Sequence, residues 1–90
     1  MKYYLYILRS EVRETYYIGY STDPERRCWF HNNESKKAYT KRYKPWEIVY
    51  RISFETMPEA MAAERKVKGW KSKKMLRLLI EGVIKIEDYL

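Results

Sequence analysis

Residues 16–31 read YYIGYSTDPERRCWFH, and their character changes halfway. The first half is aromatic and β-branched with one glycine, which suits a strand. The second half opens as a helix start. Thr22 with Glu25 three residues later is a capping-box pattern, and Asp23 as N-cap with Pro24 at the first helical position is its competitor. Either way a strand feeds a helix that runs to about residue 32. Gly19 lies inside the strand, where glycine weakens pairing unless the backbone bulges or another group comes close. Arg27 and His31 are spaced i, i+4 and share one helix face. A guanidinium fork beside an imidazole suits a phosphate, and a solvated basic face accounts for the same spacing.

Upstream, KYYLYILRS predicts a strand over about residues 2–9. A period of two places Tyr4, Tyr6 and Leu8 on one face and Tyr3, Leu5 and Ile7 on the other. If residues 11–14 form the connection, Ser10 faces Thr15, Leu8 faces Tyr17 and Tyr6 faces Gly19. Tyr6 and Tyr17 are then diagonal neighbours on one face. Downstream, residues 32–45 read as a long loop with at most one short turn. PWEIVYRISFE restarts as a strand with Trp46, Ile48, Tyr50 and Ile52 on one parity. MPEAMAAERKVKGW predicts a helix that breaks near Gly69, and SKKMLRLLIEG a shorter one ended by Gly82. VIKIEDYL fits no single element. The order ββαβαα implies an α+β fold, with helices covering an antiparallel sheet.

Ninety residues suit one domain, with a core over about residues 2–81 and a tail over 82–90. Nineteen Lys and Arg stand against twelve Asp and Glu, a net charge of +7 that favours a polyanionic partner. Ten tyrosines and three tryptophans supply apolar area for a small core and rings on which bases can stack. Cys28 is the only cysteine and His31 the only histidine, which excludes a disulfide scaffold and a conventional zinc site. A reducing compartment fits that cysteine usage. The N-terminal stretch is too polar for a signal peptide and no run is apolar enough to span a bilayer, so a cytoplasmic protein with no membrane role is expected. Residues 36–44, KKAYTKRYK, interleave Lys36, Lys37, Lys41 and Arg42 with tyrosines, and KVKGWKSKK adds Lys71, Lys73 and Lys74. Such runs can track phosphates, though a solvated surface has the same composition. Glu64 falls beside the helical stripe of Ala60, Ala63, Val67 and Trp70. A carboxylate there can hold Mg²⁺ through one oxygen or pair with Lys68 one turn on.

Together these residues resemble the GIY-YIG nuclease family over nearly the whole chain. The first half-motif stands as Tyr4-Leu5-Tyr6, with its leading glycine and isoleucine replaced. The second is intact as Tyr17-Ile18-Gly19, followed by Arg27, His31 and Glu64 in the family's order. The chain is most similar to the small single-domain branch, related to excinuclease C-type and Slx-type nuclease domains. The resemblance implies a three-stranded antiparallel sheet flanked by helices, and divalent-metal-dependent hydrolysis of phosphodiester bonds. It also implies roles: Tyr6 as general base on water, assisted by Tyr17 and His31, Arg27 on the transition-state charge, and Glu64 holding a single Mg²⁺ or Mn²⁺. Gly19 is structural in the motif. Arg9 matches a basic position three residues after Tyr6, although strict alternation turns it to the opposite face. A structure-selective DNA endonuclease of repair or recombination is therefore expected, with RNA as a second substrate class and any sequence specificity supplied by a protein partner. A nucleic-acid-binding module on the same scaffold, or a basic adaptor for an acidic protein, would share the composition.

Overall fold

The computed structural model of the chain describes residues 1–90. β1 (Tyr3–Ser10) and β2 (Tyr16–Ser21) form an antiparallel hairpin in the expected register, with Leu8 opposite Tyr17 and Tyr6 opposite Gly19. Ser10, buried at the end of β1, ties the turn. Its hydroxyl accepts from the Val12 N–H at 3.1 Å and donates to the Tyr43 carbonyl at 2.5 Å. β3 (Trp46–Phe54) pairs antiparallel with the other side of β1, giving the sheet order β2-β1-β3.

The alternation expected along β3 is broken. Ile7 pairs with Tyr50 but Leu8 pairs with Ile48, so Val49 is the extra residue of a β-bulge. A bulge sets two residues against one and turns the strand's side chains over. Trp46 and Ile48 therefore join Tyr6 and Leu8 on one face, while Val49, Tyr50, Ile52 and Phe54 pack with Leu5 and Ile7 on the other. The single parity read from the sequence does not hold, because an inserted residue leaves no local mark when both its neighbours are apolar.

α1 (Pro24–Asn33) is capped by Asp23, whose side chain accepts from the Arg26 N–H at 3.1 Å, with Pro24 at the start. The Asp23 cap thus holds and the Thr22 box does not. A short helix, α2 (Ala38–Arg42), stands inside the segment expected as a loop. α3 (Met57–Trp70) carries a complete capping box between Thr56 and Glu59. It passes through Gly69 and stops at Lys71, which takes the left-handed conformation (φ 48°). α4 (Lys73–Ile80) is capped by Ser72 and closes at Gly82, with φ 80°. The last residues form a 3₁₀ turn over Ile86–Tyr89, and Ile86 is fully buried.

The class stands as α+β with a three-stranded antiparallel sheet between helices; the order gains α2 and the terminal 3₁₀ turn. One sheet face packs Leu5 and Ile7 against Ala63 and Val67 of α3, Leu76 and Leu79 of α4, and Ile86. The other gathers Tyr6, Leu8 and Trp46 beneath α1 and α2, with Tyr17, Cys28 and Tyr43 around them. No helix is long and apolar enough to cross a membrane.

Candidate active site

The site begins with a missing side chain. A Cβ built on Gly19 would stand 2.6 Å from the Tyr6 hydroxyl and 2.8 Å from its Cζ. The Tyr6 ring therefore lies across Gly19, its cross-strand partner, and carries its hydroxyl over β2 toward the sheet edge. Any other residue at position 19 would occupy that path, which is why the strand accepts a glycine. Tyr6 is 1% exposed. Its phenol is pushed up to about 12, chiefly by burial, with the Arg27 guanidinium beside it pulling down and Tyr17 and Glu64 adding to the rise. Groups from β1, β2, α1 and α3 thus act on one hydroxyl.

His31 packs its ring 4.2 Å from that of Tyr17, centroid to centroid. It is 2% exposed, and neither ring nitrogen has a hydrogen-bond partner. Burial, and after it the positive charges of Arg27 and Lys37, lower its pKa to about 4. His31 is accordingly neutral at neutral pH, so of the Arg27 and His31 pair only Arg27 brings charge to a phosphate. A buried imidazole left unpaired is costly and rare outside functional sites.

The residue that fixes α1 was missed in the sequence. Asn32 turns its amide onto Trp46 at the head of β3, accepting from the backbone N–H at 2.6 Å and donating to the carbonyl at 3.0 Å. The Trp46 indole N–H in turn donates to the Thr40 carbonyl at 2.9 Å, and the Ser35 and Thr40 hydroxyls meet at 2.5 Å. This buried polar chain clamps α1, α2 and β3 together and holds His31 against Tyr17. Its only sequence signal is an asparagine near a helix end, where asparagine is ordinary.

Glu64 is partly buried, its side chain 20% exposed, and Lys68 reaches it at 3.5 Å. The pair is loose and leaves most of the carboxylate's acceptor capacity free. No three His, Cys, Asp or Glu side chains gather anywhere in the chain. A zinc ion, which asks for three or four protein ligands, does not fit here. A hydrated Mg²⁺-like ion fits, since it is held by one or two carboxylates with water and substrate phosphate completing its shell.

Arg27 lies over the Phe30 ring at 4.8 Å and lines a cleft of about 380 Å³ with Arg26 and Trp29. Half of Trp29 is open to solvent. Arg9 does not join the site. It is exposed on the opposite face, beside Glu14, Tyr16 and Arg77. The basic residues divide into two groups. Lys36, Lys37, Lys41 and Arg42 lie on α2 and its approach; Lys37 is close enough to act on His31, and Arg42 and Arg13 are stacked over Tyr43 at 5.8 and 5.4 Å. Lys71, Lys73 and Lys74 lie where α3 meets α4, and Lys73 donates to the Glu14 carbonyl at 2.6 Å.

Comparison with known proteins places the chain in a family and agrees with the fold. A model of the GIY-YIG catalytic domain matches residues 2–77. A UPF0213 protein of Staphylococcus saprophyticus is 37% identical over 81 residues, spanning 90% of this chain and 98% of its own. A UPF0213 protein of Streptococcus pneumoniae is 38% identical over 82 residues, spanning 90% and 81%. The solution NMR structure of a UPF0213 protein from Bacillus halodurans matches with a TM-score of 0.53 and 33% identity, over 88% of this chain and 83% of that one.

Proposed function

The chain belongs to the GIY-YIG family, and on that premise we propose that it is a divalent-metal-dependent endonuclease hydrolysing phosphodiester bonds in DNA. A GIY-YIG domain implies nuclease-type chemistry on nucleic acid, and such domains generally use divalent metal ions. The finer reading is selectivity for nicked or branched DNA, with Mg²⁺ or Mn²⁺ as the single ion and a cytoplasmic role in repair or recombination. RNA is the second substrate class. The observation that carries it is the passage of the Tyr6 ring over Gly19, which delivers a buried hydroxyl to Arg27, Tyr17 and Glu64.

Each residue has a physical task in this reading. Arg27 is already positioned beside Tyr6, so its guanidinium can take negative charge that grows on the phosphate without reorganising. Tyr6 holds the attacking water. With its phenol near 12 it is protonated at neutral pH, so it can take the water's proton only after its own has been released to solvent, which positive charge collecting beside it favours. Glu64 would hold the metal ion, which when bound supplies positive charge against the phosphate and the leaving oxygen. Tyr17 sits between Tyr6 and His31, and the neutral imidazole can accept or donate a hydrogen bond there. Lys36, Lys37, Lys41 and Arg42 extend the cationic track away from the centre.

The high phenol pKa also favours a second reading, a nucleic-acid-binding module on this scaffold that does not turn over by itself. Incubation with hairpin, flap, nicked and single-stranded DNA and RNA, in Mg²⁺ and Mn²⁺, separates the two. The nuclease reading expects metal-dependent cutting that falls about 10²- to 10⁴-fold in Tyr6→Phe. It expects Glu64→Ala to lose the response to metal. Both variants cutting at the wild-type rate would overturn the mechanism. Salt-sensitive binding without cutting on every substrate would establish the module instead.

A further inference from the structure

The cleft beside Arg27 has a composition that catalysis at Tyr6 does not require. It runs along α1 for about 380 Å³ and is lined by residues 21–23 with Arg26, Arg27, Trp29, Phe30 and Glu34. That volume accommodates one nucleotide and is far too narrow for a duplex. Phe30 is occupied by the Arg27 guanidinium, which stacks on it at 4.8 Å. Trp29 is not occupied. It makes no aromatic pair and leaves half its surface in solvent, whereas Trp46 is 2% exposed and Trp70 packs on Tyr89. An indole left open beside two guanidinium groups, on a helix otherwise polar outward, is an unfilled stacking surface.

The charges define which ligand fits. Arg26 and Arg27 stand at the N-terminal end of the cleft, next to the reacting centre, and suit a phosphate. The Asp23 carboxylate at that end is already engaged, accepting from the Arg26 N–H at 3.1 Å. Glu34 lies about two helical turns away, roughly 11 Å along the axis, so it does not oppose a phosphate held by the arginines. One phosphate, then one flat ring, is the length of a single nucleotide.

We propose that this cleft receives one unpaired nucleotide next to the bond to be cut, its base stacked on Trp29 and its phosphate held by Arg26 and Arg27. The proposal rests on the nucleic-acid reading above and sharpens it: the substrate is DNA with an unstacked nucleotide at the reacting phosphate, as at a flap or frayed nick, and not an intact duplex. Recognition is by the π-face, so every base serves.

Binding measured in EDTA tests the proposal without any cutting. The probes are a fluorescent nicked hairpin, the same hairpin with a one-nucleotide flap, and the flapped hairpin with an abasic flap sugar. Wild type is expected to bind the flapped probe about tenfold more tightly than the nicked one, the scale of one base–aromatic stack. The abasic flap and Trp29→Ala should each bring that ratio close to one, and Trp29→Phe should keep most of it. The ratio should persist as salt rises while both affinities fall, because stacking releases no counterions. An unchanged ratio in Trp29→Ala, or a wild-type ratio of one, overturns the proposal. Absence of cutting when metal is restored removes the nuclease reading but leaves this result standing, and absence of binding to every probe removes both.

Discussion

The two faces of the sheet are built on opposite principles. Beneath α3 and α4, the buried side chains, Leu5, Ile7, Ala63, Val67, Leu76, Leu79 and Ile86, are all aliphatic, with Tyr50, Phe54 and Trp70 packed around them. Beneath α1 and α2, the buried set is Tyr6, Leu8 and Trp46, joined by His31, Ser35 and Thr40, and His31 keeps two polar atoms without partners. The first face repays burial with hydrophobic stabilisation alone. The second buries polar groups at a cost and gains positioned chemistry in return. One strand serves both: alternate residues of β1 point into each layer, so β1 is the wall that transmits the stability of one face to the geometry of the other. Mutations should therefore separate into those that unfold the molecule and those that only disable it.

The largest effect on stability belongs to the aliphatic face. Leu79→Ala should cost about 3 kcal/mol, within the usual range for a buried leucine, and lower the melting temperature by roughly 10–20 °C in a domain this small. Tyr6→Phe, on the other face, removes one hydroxyl that no backbone group depends on and should leave the melting temperature within a few degrees. Circular dichroism melts of both variants test the division. A loss in Tyr6→Phe as large as that in Leu79→Ala would break it.

A smaller effect separates the faces by pH. The folded chain holds His31 at a pKa of about 4, against 6.5 when it is free. Between those values the unfolded chain binds the extra proton, so His31 leaves stability intact above pH 6.5 and removes it as the pH falls toward 4. Arg27 and Lys37 act in the same direction as burial. The loss attributable to this residue from pH 7 to 4.5 should be about 2 kcal/mol. Urea unfolding at both pH values should show His31→Phe losing less than wild type by that amount. Parallel losses in the two proteins would mean that water reaches the imidazole and that the face is less closed than its packing implies.

What could be read from the sequence follows the range of the forces involved. The hairpin register was legible because Tyr, Leu and Ile alternate through β1 and one loop length fits. The stripe on α3 was legible because 3.6-residue periodicity survives in the residue order. The α+β class followed from those elements. The bulge at Val49 was hidden because it depends on which residue of β1 each apolar neighbour meets. α2 was hidden because Thr40 and Ser35 satisfy each other only after the chain has folded back. At the site, helical spacing singled out Arg27, His31 and Glu64 but left a solvated face or an ion pair as equal readings, and only the ordered resemblance joined them to Tyr6 and Tyr17. The register set Tyr6 opposite Gly19 and glycine implied a close approach, but that the Tyr6 ring itself lies over the glycine depends on its rotamer, which the residue order does not carry. Asn32 and Trp29 lacked a signal because a clamp and an open ring are properties of the surroundings.

The smallest effect is the sharpest test of where nucleic acid lies. Arg9 and Lys41 are both exposed cations, but Arg9 lies on the aliphatic side beside Glu14 and Arg77, and Lys41 lies on α2, which packs against α1 on the other side. Each phosphate contact contributes about one unit to the slope of log affinity against log salt. Lys41→Ala should therefore reduce that slope by about one, and Arg9→Ala should leave it unchanged with stability altered by less than about 0.5 kcal/mol. Fluorescence anisotropy on one DNA probe across a salt series resolves such a difference. A slope reduced equally by both substitutions would mean that the bound strand passes around the β-hairpin to reach the far face. The aliphatic side would then have a binding role that its packing alone does not explain.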